Sequence, residues 1–210
     1  MSRFSPSRFM MAAAAVATLA GSAMAPQPAR ADFTEPAAQQ IENFDAALIR
    51  AMKQGKDAGP QGRYKTLSPA VDAVFNIPVM TGFAVGPAWA TTSAEDKAAL
   101  IAAFRKYTIA NYAKNFDSYD GQKIAVDPMV MTRLPDKLVK TTMSGNGSTV
   151  VLGYRMRQAG ATWKVIDVLF NGAISQLTTQ RSDFASTLQA GGVKALIAKL
   201  NSQTEKLLKP

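Results

Sequence analysis

One stretch decides the fold: residues 150–184 read VVLGYRMRQAGATWKVIDVLFNGAISQLTTQRSDF. Side chains in residues 150–157 and 163–170 alternate between two faces and are rich in Val, Ile, Tyr and Trp, which is typical of half-buried strands. Gly160 supplies the tight turn that a hairpin needs between these runs, and Asn171-Gly172 turns the chain into a helix. We therefore predict two antiparallel strands and a helix, whose apolar faces the rest of the chain must cover.

Helical patterns dominate the first half of the chain. Apolar residues recur at helical spacing in one segment that has Pro36 in its first turn and ends at Gly55. Ser68-Pro69 resembles the start of a second helix, with Ser68 as its cap. Ser93 caps the longest predicted helix, because acidic residues follow it in the first turn and an apolar face extends beyond them.

Two further strand-like runs, residues 123–131 and 138–144, precede the opening stretch. Gly145-Asn146-Gly147, between the second run and that stretch, is a strong hairpin signal. Four strands joined by short loops predict an antiparallel meander. After it, Gly191-Gly192 interrupts a helical pattern that continues into a final amphipathic helix. The predicted class is α+β, with N-terminal helices packed on a four-stranded antiparallel meander and C-terminal helices after it. The space between helices and sheet is either a core or a pocket.

Composition excludes several kinds of chemistry. The chain has 210 residues, 47% of them hydrophobic, with no Cys and no His, which suits one domain without disulfides, thiolates or an imidazole base. No glycine-rich phosphate loop follows a strand, and no nucleophile elbow is present. Asp117 and Asp120 lie near each other but flank a helix end, where carboxylates are usually solvated, so we expect no metal ion and no cofactor.

The N-terminus predicts a secretory signal. Arg3 and Arg8 precede an apolar segment, residues 9–21, that is too short to span a bilayer. Ala29-Arg30-Ala31 resembles a cleavage site. We expect residues 1–31 to be removed and residues 32–210 to form a single domain, and an uncleaved amphipathic anchor is the alternative.

Cleavage changes the charge of the chain. It would remove three arginines from 24 basic residues and none of the 15 acidic ones, which leaves 21 basic residues and a net charge of +6. The basic residues are scattered and form no stripe of the kind that binds nucleic acid. A mild positive field fits approach to an anionic membrane or an acidic partner, and an ordinary solvated surface explains it equally well.

Residues 77–89, IPVMTGFAVGPAW, carry no charge. They are too short and too broken by Gly and Pro to cross a membrane. Met80, Phe83 and Trp89 are their large apolar groups. Two interpretations stay open, a buried connection within the core and the apolar lip of a ligand cavity.

Asp167 stands out on the last predicted strand, because alternation places it on the same face as Trp163 and Val165. A carboxylate there needs a partner. Arg181, in the apolar stripe of the following helix, is the natural candidate for a buried structural pair. A role for Asp167 at a ligand headgroup is the alternative.

At these residues the sequence resembles the MlaC / toluene-tolerance family of periplasmic lipid-carrying components of ABC transport systems. The resemblance rests on residues 163–168, 171–175 and 180–184, and on residues 63–64, 104–107, 112 and 119–121 upstream. It covers about residues 41–200. Residues 75–89 look most like the hopanoid-associated, HpnM-like branch. Ile166 and Gln180 stand where the family often has Tyr.

The resemblance implies a helix-and-sheet fold that encloses an apolar cavity, with acyl chains inside and headgroups near its mouth. A diacyl lipid in water exposes roughly thirty methylenes at ~0.8 kcal/mol each, about 24 kcal/mol in all, so a carrier needs an enclosed site. It also implies a lipid ligand (phospholipid or hopanoid), an inner-membrane ABC transporter complex, an outer-membrane lipid complex and a monomeric protein without enzyme activity. The lipid-binding residues expected in this chain are Val79, Met80, Phe83, Trp89, Tyr107, Val139, Met143, Leu152, Tyr154, Met156 and Val165.

Two other functions stay open at this point. A cavity of this class could belong to an enzyme acting on a small apolar substrate, and Asp167 would then be an unpaired acid with a perturbed pKa. A solid core in place of a cavity would instead indicate an interaction module of the cell envelope.

Overall fold

A computed structural model of the chain describes residues 35–145 and 147–209. The predicted signal, residues 1–31, lies outside these ranges. Within them, no helix is both long and apolar enough to cross a membrane. The elements in chain order are α1 (Pro36–Gln54), α2 (Gly59–Val74), α3 (Ile77–Val85), α4 (Ala88–Thr91), α5 (Ala94–Asn115), β1 (Lys123–Val126), β2 (Met131–Arg133), β3 (Asp136–Gly145), β4 (Ser148–Ala159), β5 (Thr162–Phe170), β6 (Ile174–Ser175) and α6 (Gln176–Leu207).

The fold is α+β with an antiparallel sheet, as predicted. The strands follow the order β1-β3-β4-β5-β6, and β2 pairs with the other half of the same edge of β3. The run predicted as one strand, residues 123–131, is thus two short strands. Pro128 lies in the gap between them, where its missing N–H suits a break in the ladder. The four-stranded meander is present, extended by β2 and β6.

A β-bulge in β5 decides which residues face the helices. Arg155 pairs with Asp167, while the next residue of β4 pairs with Val165, so Ile166 is an extra residue without a partner. Alternation reverses at that point. Asp167 therefore lies on the opposite face from Val165 and Trp163, and the prediction that these three share a face is wrong. A count of period two along the sequence has no means of registering one inserted residue.

The bulge gives the sheet two distinct faces. We call the helix-covered one the inner face and the other the outer face. The inner face carries Val139, Tyr154, Met156, Val165 and Val168, all buried in the main core. The outer face carries Met131, Leu138, Arg155, Asp167 and Leu169.

An aromatic cluster joins the helices to the inner face. The ring of Phe44, on α1, lies 5.0 Å from Phe75, 5.3 Å from Tyr112 and 6.1 Å from Tyr154 between centroids, each edge to face. Such contacts add about 0.5–1.5 kcal/mol each beyond the burial of area. The cluster holds α1, α2 and α5 against β4.

Helix boundaries agree with the sequence at some positions and differ at others. Ser93 caps α5 by accepting a hydrogen bond from Asp96 N–H at 3.1 Å, and the backbone of α6 breaks at Gly192, where φ is 65°; both were predicted. Ser68 does not open a helix. It lies within α2, and its hydroxyl donates to the carbonyl of Tyr64 at 2.8 Å, while Pro60 is the proline of the first turn.

A charged cluster anchors the β3–β4 hairpin on the outer face. The Asp136 carboxylate is 4% exposed. It accepts hydrogen bonds from Arg155 Nε at 2.7 Å and from Arg157 Nε at 2.6 Å. The hydrogen bond from Arg157 holds the pKa of Asp136 below its ordinary value. The acid is buried while both arginine side chains are partly exposed, so the cost of losing these bonds falls mainly on the site of Asp136.

We expect Asp136→Asn to lower the free energy of unfolding by about 2 kcal/mol, since charge-assisted hydrogen bonds to a buried carboxylate are lost. Asp72→Asn is the matched control, because Asp72 pairs with Arg105 at a site where its side chain is 47% exposed. That change should cost less than ~1 kcal/mol. Urea unfolding of both variants measures the difference, and equal effects would contradict the assignment.

Candidate functional site

The residues predicted to line a cavity do not form one open space in this structure. Met80, Val139, Tyr154, Met156 and Val165 are packed into the core, with at most 5% exposure. The half-buried members are Val79, Trp89, Tyr107, Met143 and Leu152. Phe83 is 47% exposed and lies at a cleft on the opposite side of the sheet from the core. The set thus divides between the core, its margin and an outer cleft.

An apolar row at the margin of the core is the strongest candidate for a ligand surface. Register pairs place Val126, Thr141, Leu152, Phe170 and Ile174 side by side across five strands of the inner face. Exposure rises along the row, from 0% at Thr141 to 41% at Phe170 and 54% at Ile174. The row therefore leads from the core out to solvent.

A second row lies beside the first one, farther from the core. Ile124, Met143 and Val150 pair across β1, β3 and β4, and all three are half-buried. We call the two rows together the apolar shelf, defined as Ile124, Val126, Met143, Val150, Leu152, Phe170 and Ile174. Two of the predicted lining residues, Met143 and Leu152, belong to it.

A buried polar group borders the inner end of the shelf. We call it the polar trio, Asp45 on α1, Thr141 on β3 and Tyr154 on β4. Their side-chain oxygens are buried, and none has a partner in hydrogen-bond geometry. Burial raises the pKa of Asp45 to about 8, an effect that Tyr154 opposes and Glu42 strengthens. The carboxyl is therefore neutral at pH 7.

The outer face carries a cleft lined by both charged and apolar side chains. Its larger part encloses about 460 Å³ and its smaller part about 120 Å³. Both parts are lined by Arg155, Asp167, Ser175 and Thr178. Leu138 and Leu169 contribute apolar surface to the larger part, and charged side chains surround them.

Asp167 is satisfied by the start of α6 and not by an arginine. It accepts hydrogen bonds from the Ser175 hydroxyl at 2.6 Å, Val168 N–H at 2.8 Å and Leu177 N–H at 3.2 Å. The predicted Asp167–Arg181 pair is wrong: both residues line the outer cleft, but the donors to Asp167 are the Ser175 hydroxyl and two backbone N–H groups. Arg181 is instead an exposed residue that lies against Gly86, where a Cβ would come within 2.7 Å of its Nε.

The described residues hold no group of three or more acids that could bind a metal ion. Asp167 was the one acid predicted as a possible catalytic residue. Its carboxylate accepts three hydrogen bonds within the protein, so it is not the unpaired acid that this alternative needs. What the inner face provides is apolar area with one polar spot, an arrangement suited to binding.

The family comparison agrees with this architecture. The model of the MlaC protein family matches residues 42–202. The chain belongs to the MlaC family. Among solved structures, it is similar to a phospholipid-binding protein from Ralstonia solanacearum in complex with a phospholipid, with a TM-score of 0.72 and 22% identity over 83% of this chain and 100% of that chain. A search of curated proteins found no match.

Sequence reasoning missed the polar trio within this MlaC fold. The pattern did contain a signal, because Asp45 follows Ile41 by four residues and precedes Leu48 by three, on the apolar stripe of α1. Thr141 likewise alternates with Val139 and Met143 on β3. A polar residue on an apolar stripe indicates either a hidden partner or a function.

We predict that Asp45 makes the protein less stable as pH rises. An acid whose pKa is raised on folding stabilises the folded state most below its ordinary value of 3.8, and that contribution is lost as pH rises toward about 8. The free energy of unfolding should fall by up to about 1.4 kcal/mol per unit between about pH 5 and pH 8. Glu35, Asp72 and Asp136, whose pKa values are lowered, act in the opposite sense at lower pH.

Urea titrations across this range test the prediction. Asp45→Asn should remove most of the slope, while Glu42→Gln should remove only a small part of it, because Glu42 strengthens the raised pKa of Asp45. An unchanged slope in Asp45→Asn would show that another group is responsible.

A second prediction separates the two accounts of Asp167. Because the carboxylate anchors the start of α6, Asp167→Ala should lower the free energy of unfolding by about 2 kcal/mol. Arg181→Ala should change it by less than ~0.5 kcal/mol. Thermal or urea unfolding measures both changes. Equal losses of unfolding free energy that are strongly coupled in a double-mutant cycle would instead support the ion pair.

Proposed function

We propose that the chain is a periplasmic lipid-binding shuttle of an ABC-type lipid transport system, which carries phospholipid or a hopanoid-like lipid between membrane complexes. The observation that carries the proposal is the apolar shelf, which continues the buried inner face out to solvent. The structural neighbour from Ralstonia solanacearum binds a phospholipid, and the family relationship supports a similar role here.

The shelf offers partly exposed apolar surface that an acyl chain can cover. Leu152 is half-buried, while Phe170 is 41% exposed, so part of this surface faces water in the structure. Covering about 40 Å² of apolar area stabilises a complex by roughly 1 kcal/mol. An acyl chain along both rows would gain several times this amount.

Full enclosure of a lipid requires the helices to move relative to the sheet. Val139, Tyr154 and Met156 fill the space between these layers, and a second acyl chain would have to displace side chains there. Met143 and Met156 suit such rearrangement, because the unbranched Met side chain adapts its shape at low cost. We infer that lipid uptake separates α1 from the inner face.

The outer cleft is bordered by charged side chains. Arg133, Asp136, Lys137 and Arg155 line its larger part together with only two leucines. Placing hydrocarbon there would strip water from charged groups without replacing their hydrogen bonds. The inner face is therefore the better site for the hydrocarbon.

Cellular location and partners are part of the same proposal. The signal-like segment at residues 1–31 supports a periplasmic location, and an excess of basic residues suits transient contact with anionic membranes or acidic partner faces. An inner-membrane ABC transporter would supply the energy, and an outer-membrane lipid complex would exchange lipid with the protein. Residues 75–89 support the hopanoid-associated branch.

One alternative has a specific observation in its favour. Five of the expected lining residues are packed into the core, as they would be in an envelope interaction module that carries no ligand. Such a protein would have no use for the exposed shelf residues as a lipid surface, and it would purify without lipid.

Extraction and mass spectrometry of the purified protein test the proposal. We expect co-purified or exchangeable lipid, and we expect Leu152→Trp to reduce its amount several-fold by filling the shelf. Leu138→Trp is the matched control, because the same substitution in the same hairpin then lies on the outer face. Absence of lipid from the protein, both as purified and after incubation with phospholipid vesicles, would refute the shuttle. Equal loss in both variants would refute the choice of face.

A further inference from the structure

Four buried oxygens at the inner end of the shelf lack hydrogen-bond partners. They are both carboxyl oxygens of Asp45, Thr141 Oγ and Tyr154 Oη. Thr141 and Tyr154 are fully buried, and Asp45 is 5% exposed. Buried polar atoms are bonded in the large majority of cases. The three side chains lie close enough to bond weakly to one another, and they keep hydrogen-bonding capacity for a partner from outside the chain.

The three side chains converge although they come from distant parts of the sequence. Tyr154 Oη is close enough to Asp45 and Thr141 for each of them to alter its pKa. Phe44 and Tyr112 surround the group with aromatic rings. The trio is thus a small polar spot within an apolar wall, the usual pattern of a specificity element in a ligand site.

The position of the trio connects it to the shelf. Thr141 is itself a member of the first shelf row, directly beside Leu152, and Tyr154 belongs to the next row toward the core. Exposure falls from Ile174 to Thr141 along that row. A lipid lying on the shelf with its headgroup toward Ile174 would bring a part of its hydrocarbon three strand spacings away, ~14 Å, to the trio.

The chemistry of the trio selects an uncharged partner. No lysine or arginine is among the groups that shift the pKa of Asp45, and burial keeps its carboxyl protonated at pH 7. A neutral carboxyl, a phenol and an alcohol each donate and accept hydrogen bonds. A ligand hydroxyl, which also donates and accepts, would satisfy them without burying a charge.

We propose that Asp45, Thr141 and Tyr154 form a recognition site for an alcohol hydroxyl carried on the buried hydrocarbon part of the lipid. The inference rests on the lipid-binding function proposed above and adds a ligand class to it. Such a hydroxyl occurs in two kinds of lipid, on an acyl chain and on the ring system of a polycyclic alcohol. The site discriminates these lipids from their deoxy counterparts, because only the hydroxylated form satisfies the buried oxygens.

Paired ligands test the site directly. One pair is hydroxystearate with its hydroxyl at mid-chain and stearate, and the other is a sterol and its deoxy hydrocarbon. Displacement of a fluorescent fatty acid from the full chain at about pH 6, below the raised pKa of Asp45, gives the affinities. We expect the hydroxylated member of at least one pair to bind about tenfold more tightly, which corresponds to one good hydrogen bond. The pair that shows the preference identifies the source of the hydroxyl.

Conservative variants assign the preference to the trio. Tyr154→Phe and Thr141→Val keep the size of each side chain, so both should fold and lose the preference for the hydroxylated member of the pair. Tyr112→Phe is the control, since it removes a phenol from the same aromatic cluster, and it should keep the preference. The same result in Tyr112→Phe as in Tyr154→Phe would overturn the assignment.

Other outcomes separate this inference from the proposed function. Equal affinity for both members of both pairs, with phospholipid still bound, would overturn the hydroxyl site and leave the shuttle intact. A lipid-bound crystal structure in which only an ordered water contacts the trio would do the same. Failure of the wild-type protein to bind any of these lipids would overturn both.

Discussion

The extra residue in β5 is the constraint on which the site depends. Because Ile166 has no partner in β4, Val165 and Val168 both face the helices and Asp167 faces outward. Asp167 then accepts hydrogen bonds from Ser175 and Leu177 N–H at the start of α6. One bulge therefore completes the apolar inner face and fixes the origin of the helix that follows.

The inner face combines two requirements that oppose each other. Folding favours a dry, fully packed interface between helices and sheet, and the core around Tyr154 satisfies this requirement. Lipid binding favours exposed apolar surface and polar atoms without partners, which lower the stability of the empty protein. The exposed apolar area lies on the shelf, and the polar atoms without good partners lie in the polar trio beside it. A ligand that covers the shelf and reaches the trio therefore stabilises the bound state. Local departures from good packing are expected where a protein functions.

Sequence alone predicted those features that depend on local pattern. Alternation in β3 and β4, the cap at Ser93 and the break at Gly192 each follow from a few neighbouring residues. The bulge at Ile166 could not be predicted, since the inserted residue is as apolar as its neighbours and changes only the pairing with β4. The predicted face of Asp167 was wrong for the same reason.

The candidate site was only partly predictable for a different physical reason. Residues that fill a core and residues that line a cavity have the same composition, so Val139 and Leu152 were indistinguishable until the register showed one in the core and the other on the shelf. The family resemblance predicted that a lipid surface exists without locating it. Asp45 was recognisable as a polar residue on an apolar stripe, but its convergence with Tyr154 depends on tertiary structure.

The central claim is that hydrocarbon binds to the inner face, and two methionines report on it from opposite sides of the sheet. Met143 belongs to the shelf, whereas Met131 pairs with Leu138 on the outer face. NMR spectra of isotope-labelled methionine methyl groups, recorded with a phospholipid that carries a nitroxide near the end of one acyl chain, measure which side the chain occupies. The account predicts strong broadening of the Met143 signal and little change at Met131. Broadening of Met131 without Met143 would contradict it.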